Sequence, residues 1–136
     1  MFETFDHTAD MGLRIQADSL NQLFEQAALG LFSLIVKDIN SIAPKEQFQL
    51  TIAGTDLDYL LFDWLRELLY RWEVHQQLCC SFQVTIDKNG LQATIHGESL
   101  DPARHSLVHE VKAITYHGLE VKQIGNSWEA ELIVDI

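Results

Sequence analysis

Residues 81–96 read Ser-Phe-Gln-Val-Thr-Ile-Asp-Lys-Asn-Gly-Leu-Gln-Ala-Thr-Ile-His, and this stretch decides the fold class. Apolar and polar residues alternate from Ser81 to Asp87 and again from Leu91 to His96, the period of a strand with one buried face. Between them Lys88-Asn89-Gly90 supplies Asn-Gly, a pair at ease with positive φ and suited to a tight hairpin turn. Hairpin-joined strands run antiparallel, so the sheet is not the parallel kind that alternates with helices.

The same alternation extends outward in both directions. Met11 to Ala17 and Gln47 to Ile52 read as strands. Phe2 to Phe5 reads as a further short strand, with Asp6 to Asp10 as the connection. Val111 to Tyr116 and Leu119 to Ile124 read as two strands broken at His117-Gly118, and Trp128 to Ile136 follows a Gly125-Asn126 turn. That makes about eight strands.

Two segments change to helical spacing. Ser19 and Gln22 form a capping-box pattern ahead of Leu20, Leu23, Phe24, Ala27, Ala28 and Leu31, which predicts a helix to about Val36. A second helix opens at Gly54-Thr55. Its apolar face runs from Leu57 to Trp72, opposite Asp58, Asp63, Arg66, Glu67 and Arg71. So broad a face predicts packing on more than one side. Asp38 to Lys45 reads as a loop, and Asp101-Pro102 as the start of a helical turn. The expected architecture is a single layered α+β domain over residues 1–136, mainly antiparallel sheet with two principal helices.

Composition narrows the function. Nine Lys and Arg face twenty acids, for a net charge of −11. Such a surface repels the nucleic-acid backbone and gives no reason for an anionic membrane as partner. Any work on RNA is expected to go through another protein. No apolar run approaches the roughly 20 residues of a membrane span, and no signal peptide is legible. The expected location is cytoplasmic, where Cys79-Cys80 is a reduced thiol pair rather than a disulfide or zinc site.

Acid stands at both ends of the sequence. Asp6-His7-Thr8-Ala9-Asp10 lies near the start and Val134-Asp135-Ile136 at the close. Taken singly, these acids are ordinary turn or strand-end residues. If the ends meet, Asp10, Asp135 and the α-carboxylate of Ile136 gather three anions, which must bind a hard cation or shift their pKa values. His7 would either orient Asp6 or Asp10 by a hydrogen bond or simply be a satisfied polar residue. His105 and His109 have i, i+4 spacing without completing a zinc-protease motif. Lys112, Tyr116 and His117 read as strand residues that, if exposed together, would form part of a docking face. There is no Gly-x-Ser-x-Gly elbow, no Gly-rich phosphate loop and no set of nucleophile, base and oxyanion donors. The expectation is a modulator rather than an enzyme.

Several long segments resemble the archease family: Asp6 to Asp10, Leu20 to Phe32, Glu110 to Val121, Trp128 to Ala130 and Val134 to Ile136. They span the chain in the family's order. The one variation of note is Met11, where many relatives have Val or Ile. The resemblance implies a small acidic α+β protein that serves as cofactor to an RtcB-type RNA ligase, the tRNA-splicing ligase. It implies promotion of guanylate uptake from GTP by the ligase's active-site histidine, with multiple turnover and broader nucleotide use. It further implies a divalent-metal site with calcium as the expected ion, carried over here onto Asp10, Asp135 and Ile136; magnesium and manganese share such oxygen ligands. Two other readings stand beside it. One is a chaperone of an RNA-modifying enzyme such as a tRNA methyltransferase. The other is a metal-dependent hydrolase with His7 as base.

Overall fold

The structure, a computed structural model, describes residues 1–7 and 10–136, and among these every side chain except those of Asp6 and His7. The elements in order are β1 (Phe2–His7), β2 (Asp10–Ala17), α1 (Leu20–Ile35), a 3-10 turn (Ile39–Ser41), β3 (Glu46–Ala53), α2 (Leu57–His75), β4 (Gln77–Asp87), β5 (Gly90–Ser99), β6 (Ala113–Ile124) and β7 (Ser127–Asp135). They form a four-stranded sheet, order β1-β2-β7-β6, and a three-stranded sheet, order β3-β5-β4. Every pairing is antiparallel. This is the expected α+β architecture of antiparallel sheet and two helices.

The start of α1 is the one read from the sequence, whereas α2 opens at Leu57 rather than at the expected Gly54-Thr55. Ser19 caps α1 by accepting from the Gln22 N–H at 3.2 Å. Asp56 caps α2 by accepting from the N–H groups of Asp58 and Tyr59. Gln76, left-handed at φ 55°, closes that helix. The β4–β5 hairpin turns at Asn89 into Gly90, and a Cβ at Gly90 would stand 2.1 Å from the Ile52 carbonyl oxygen of β3. Only glycine lets the turn approach β3 so closely.

Both helices share one core with both sheets. Leu23, Phe24, Phe32, Leu61, Trp64, Leu65, Leu68, Phe82, Ile95 and Leu132 are all buried. The Trp64 indole N–H donates to the Phe24 carbonyl at 3.0 Å, which satisfies the one polar atom that this ring brings inside. Each helix also runs along the outer edge of one sheet and bonds to it. Glu25 and Asn21 of α1 accept from the β4 amides of Val84 (2.8 Å) and Ile86 (2.9 Å). Asp58 of α2 accepts from the β6 amide of Val121 (2.7 Å). Backbone donors that an edge strand would otherwise leave open are taken up by side chains.

Several boundaries differ from the sequence reading. Among the described residues there are seven strands, because Val111–Tyr116 and Leu119–Ile124 belong largely to one strand, β6. The chain does not break at His117-Gly118; it bulges. Thr115 pairs with Ile133 and Glu120 with Glu131, so four residues of β6 face one of β7. Gly118 at φ 73° absorbs the excursion and the buried Leu119 returns the chain to the sheet. Asp6 to Asp10 is not all connection either: β1 runs through His7, which pairs with Asp10. β4 begins at Gln77 and takes in Cys79-Cys80, with a register shift there. The turn after Asp101 stops at one turn, in which the N–H groups of Arg104 and His105 donate to the Asp101 carbonyl. Among the described residues no helix is long and apolar enough to cross a membrane.

Candidate functional site

The four-stranded sheet brings the two acidic ends together. Asp10 opens β2 and Asp135 closes β7, and the two stand directly opposite in the register of the sheet's two central strands. Ala113 at the start of β6 pairs with Asp135 from the other side, and the Lys112 N–H donates to the Asp135 carbonyl at 2.7 Å. Asp135 is exposed and Asp10 half-buried, while Ile136 packs half-buried against the core. Directly opposed residues hold their Cβ atoms about 4.5–5.5 Å apart, and like charges there destabilise the sheet.

Chemically this is a hard-oxygen site. Two carboxylates on neighbouring strands, with main-chain oxygens at the same sheet end, suit calcium or magnesium rather than a thiophilic metal. Among the described residues no three His, Cys, Asp or Glu side chains gather as a metal cluster. An ion held here would therefore need an oxygen of Ile136 or of the backbone besides the two aspartates. The roles expected of Asp6 and His7 fall on side chains outside those the structure describes.

The other expected residues divide. Lys112 has an exposed side chain beside the acidic end. Tyr116 and His117 sit in the β6 bulge, and both are exposed. Tyr116 leans toward α2, where its ring stacks on Tyr59 with centres 4.6 Å apart. The three thus share one stretch of chain without converging on one point.

A second polar assembly went unread in the sequence. Glu98 is 3% exposed, yet charged. It accepts from Arg104 Nη2 at 2.5 Å, from the Ala43 N–H at 2.6 Å and from His105 Nε2 at 3.0 Å. The Asp101 N–H donates to His105 Nδ1 at 2.9 Å, so Nδ1 carries the lone pair and Nε2 the proton. Arg104 also pairs with Asp101 at 3.1 Å. The Arg104 guanidinium foremost, helped by the Ala43 amide and His105, overcomes burial and holds the Glu98 carboxyl down to about 2. This network fastens the turn after β5 onto the loop before β3. Beyond it, residues 106–109 run along the end of α1, through Lys37 N–H to Ser106 O, Val108 N–H to Ile35 O and His109 N–H to Leu34 O, and so reach Lys112. Its only trace in the sequence is Glu98 followed at three, six and seven residues by Asp101, Arg104 and His105.

The remaining reactive groups are quiet. Burial pushes the Cys79 thiol up to about 12 and raises that of Cys80, which leaves neither a ready nucleophile. On the outer face of the sheet Arg14 bridges Glu3 (2.6 Å) and Glu131 (3.1 Å), a row in which charges of opposite sign meet.

Residues 2–136 match the model of the Archease protein family. The archease of Pyrococcus abyssi is 39% identical over 99% of this chain and 98% of its own length. That of Methanopyrus kandleri is 37% identical over 99% of both. Protein 1598 of Methanobacterium thermoautotrophicum, known from a solution structure, superposes with a TM-score of 0.85 at 33% identity, covering 99% of this chain and 98% of that one. A crystal structure from Thermotoga maritima, described as an archease and possible chaperone, superposes at 0.69 with 20% identity, over 100% and 98%, and speaks to the fold alone.

Proposed function

The chain belongs to the archease family, and from that premise we propose that it is a non-enzymatic activator of an RtcB-type RNA ligase, acting through a cation held at its acidic end. The observation that carries this reading is the direct opposition of Asp10 and Asp135 in the two central strands, with Ile136 adjoining. Two carboxylates at one end of a sheet, with main-chain oxygens beside them, are the kind of donor set that a hard cation takes. In this reading Asp10 and Asp135 supply the carboxylates and Ile136 a further oxygen. The bound cation, calcium by expectation, would contribute positive charge toward a phosphate group at the ligase's nucleotide site. Lys112 holds the β7 end in place by its backbone bond to Asp135 and adds a cationic side chain alongside.

The deciding experiment is single-turnover guanylylation of the cognate ligase with labelled GTP. Wild-type protein is expected to stimulate it, and Asp135→Asn to leave it at the unassisted level. No stimulation by the wild type of a competent ligase would overturn the reading. It would then favour a chaperone for an RNA-modifying enzyme such as a tRNA methyltransferase. The solubility of such a client with and without this protein measures that role.

A further inference from the structure

Where α2 covers the β6 edge, side chains from both elements form an aromatic ladder on the surface. Tyr59 and Tyr116 stack with their planes 14° from parallel. Phe62 meets Tyr116 edge-on at 5.4 Å, and the Arg66 guanidinium lies over Phe62 at 5.2 Å. Tyr59, Phe62 and Arg66 recur at helical spacing, so one face of α2 builds the ladder and the β6 bulge inserts Tyr116 into it. The ladder ends in the molecule's own guanidinium on one side. On the other is Tyr59, still 54% exposed; Tyr116 is 37% exposed. Rings of this size gain substantially from leaving water, so a stack built and then left half outside marks a surface of interaction.

Acid surrounds it. Asp56 caps α2 and Asp58 binds the Val121 amide, each through Oδ1, and this fixes both carboxylates beside the stack. The pKa of the Tyr116 hydroxyl is raised first by partial burial, then by the neighbouring Tyr59 hydroxyl, and also by the nearness of Asp56 and Asp58.

We propose that the Tyr59–Tyr116 stack is the docking site for an arginine side chain of a partner protein. An aromatic face attracts a cation. A planar guanidinium stacks there as an ammonium cannot, and its N–H fork suits neighbouring carboxylates. Among the described residues the molecule already makes this contact three times, with Arg14 over Phe5 (4.9 Å), Arg66 over Phe62 and Arg71 over Phe48 (3.8 Å). The charge of −11 draws a basic protein surface toward the site. A nucleotide would bring its phosphates against Asp56 and Asp58. Tyr116 lies three residues along β6 from Ala113, the neighbour of Asp135, so the stack and the acidic end are separated by about 10 Å of strand. The proposal gives the activator's partner surface a chemistry; it rests on the activator reading for the partner's identity, and not for the recognition of arginine.

The test titrates the full chain by calorimetry at about 0.15 M salt with a hexa-arginine peptide, a hexa-lysine peptide and a single-stranded RNA hexamer. Hexa-arginine is expected to bind about fivefold more tightly than hexa-lysine. Tyr59→Leu and Tyr116→Leu, which keep an apolar side chain, are each expected to bring that ratio close to one. Equal affinity of the wild type for the two peptides would overturn the proposal, as would a preference untouched by both substitutions. RNA binding that depends on Tyr59 would overturn it as well, in favour of base stacking. A ligase that fails to bind while the arginine preference holds would remove the activator reading and leave the docking site standing.

Discussion

Glu98 and Asp135 are both carboxylates held by strand pairing, yet the molecule treats them oppositely. Glu98 is buried and ringed by an arginine, a histidine N–H and a backbone amide. Asp135 is exposed and faces a second aspartate across the sheet. At Glu98 the protein has supplied its own compensating charge, and the result is structural. At Asp135 the carboxylate lies at the surface, where an ion from solution can reach it. Acidity alone therefore says little about function; where a carboxylate sits and what can reach it say much more. The Arg14 row lies between these extremes, exposed but matched by Glu3 and Glu131.

The contrast can be broken most forcefully at Glu98. Glu98→Ala leaves the buried His105 N–H and the half-buried Ala43 N–H without their acceptor and is expected to cost about 1–3 kcal/mol for each, read by urea denaturation. Its pH dependence has a definite sign. The folded-state carboxyl titrates at about 2, below its ordinary value of 4.5, so its stabilisation is complete above pH about 4.5 and is lost as pH falls toward about 2. The acid limb of stability in the wild type should accordingly be steeper there than in the variant, and coincident limbs would show that Glu98 is not compensated as described.

Asp135 should respond to what is added rather than to what is removed. At a hundredfold excess over Kd, calcium is expected to stabilise the wild type by about 2.7 kcal/mol, seen as a rise in Tm, and Asp135→Asn by almost nothing. A shift of equal size in both proteins would locate the ion elsewhere. The smallest effect reverses sign. With cations chelated, Asp135→Asn relieves a like-charge pair and is expected to gain about 0.2–1 kcal/mol. A loss of stability under those conditions would mean that the opposed aspartates are already compensated within the fold.

The layout of the fold was legible because its cues are local. Asn89-Gly90 names a hairpin, Ser19 and Gln22 a helix start, and the spacing of Leu57 to Trp72 a helix packed on several sides. The β6 bulge was misread for a physical reason: His117-Gly118 carries the composition of a turn, and only the pairing of Glu120 with Glu131 reveals that the strand resumes. The acidic end could be suspected from Asp10 and Asp135 but not located, since register between strands over a hundred residues apart leaves no local mark. Glu98 was hidden more deeply. Alternation from Leu91 through Ala93 and Ile95 to Gly97 turns Glu98 toward the opposite face, and it is buried only because the Ala43 loop and the Arg104–His105 turn close over it. The Tyr59–Tyr116 stack depended on the same bulge and was equally out of reach.

The side chains that seal the sheet edges all come earlier in the chain than the strands they cover. Val84 is bonded to Glu25 from 59 residues earlier, Ile86 to Asn21 from 65 earlier and Val121 to Asp58 from 63 earlier. In each case the cover is translated before the strand that needs it. The residues that take up the open amides of β4 and β6 thus leave the ribosome before those strands do, and each edge finds its cover within its own copy rather than on a neighbouring chain.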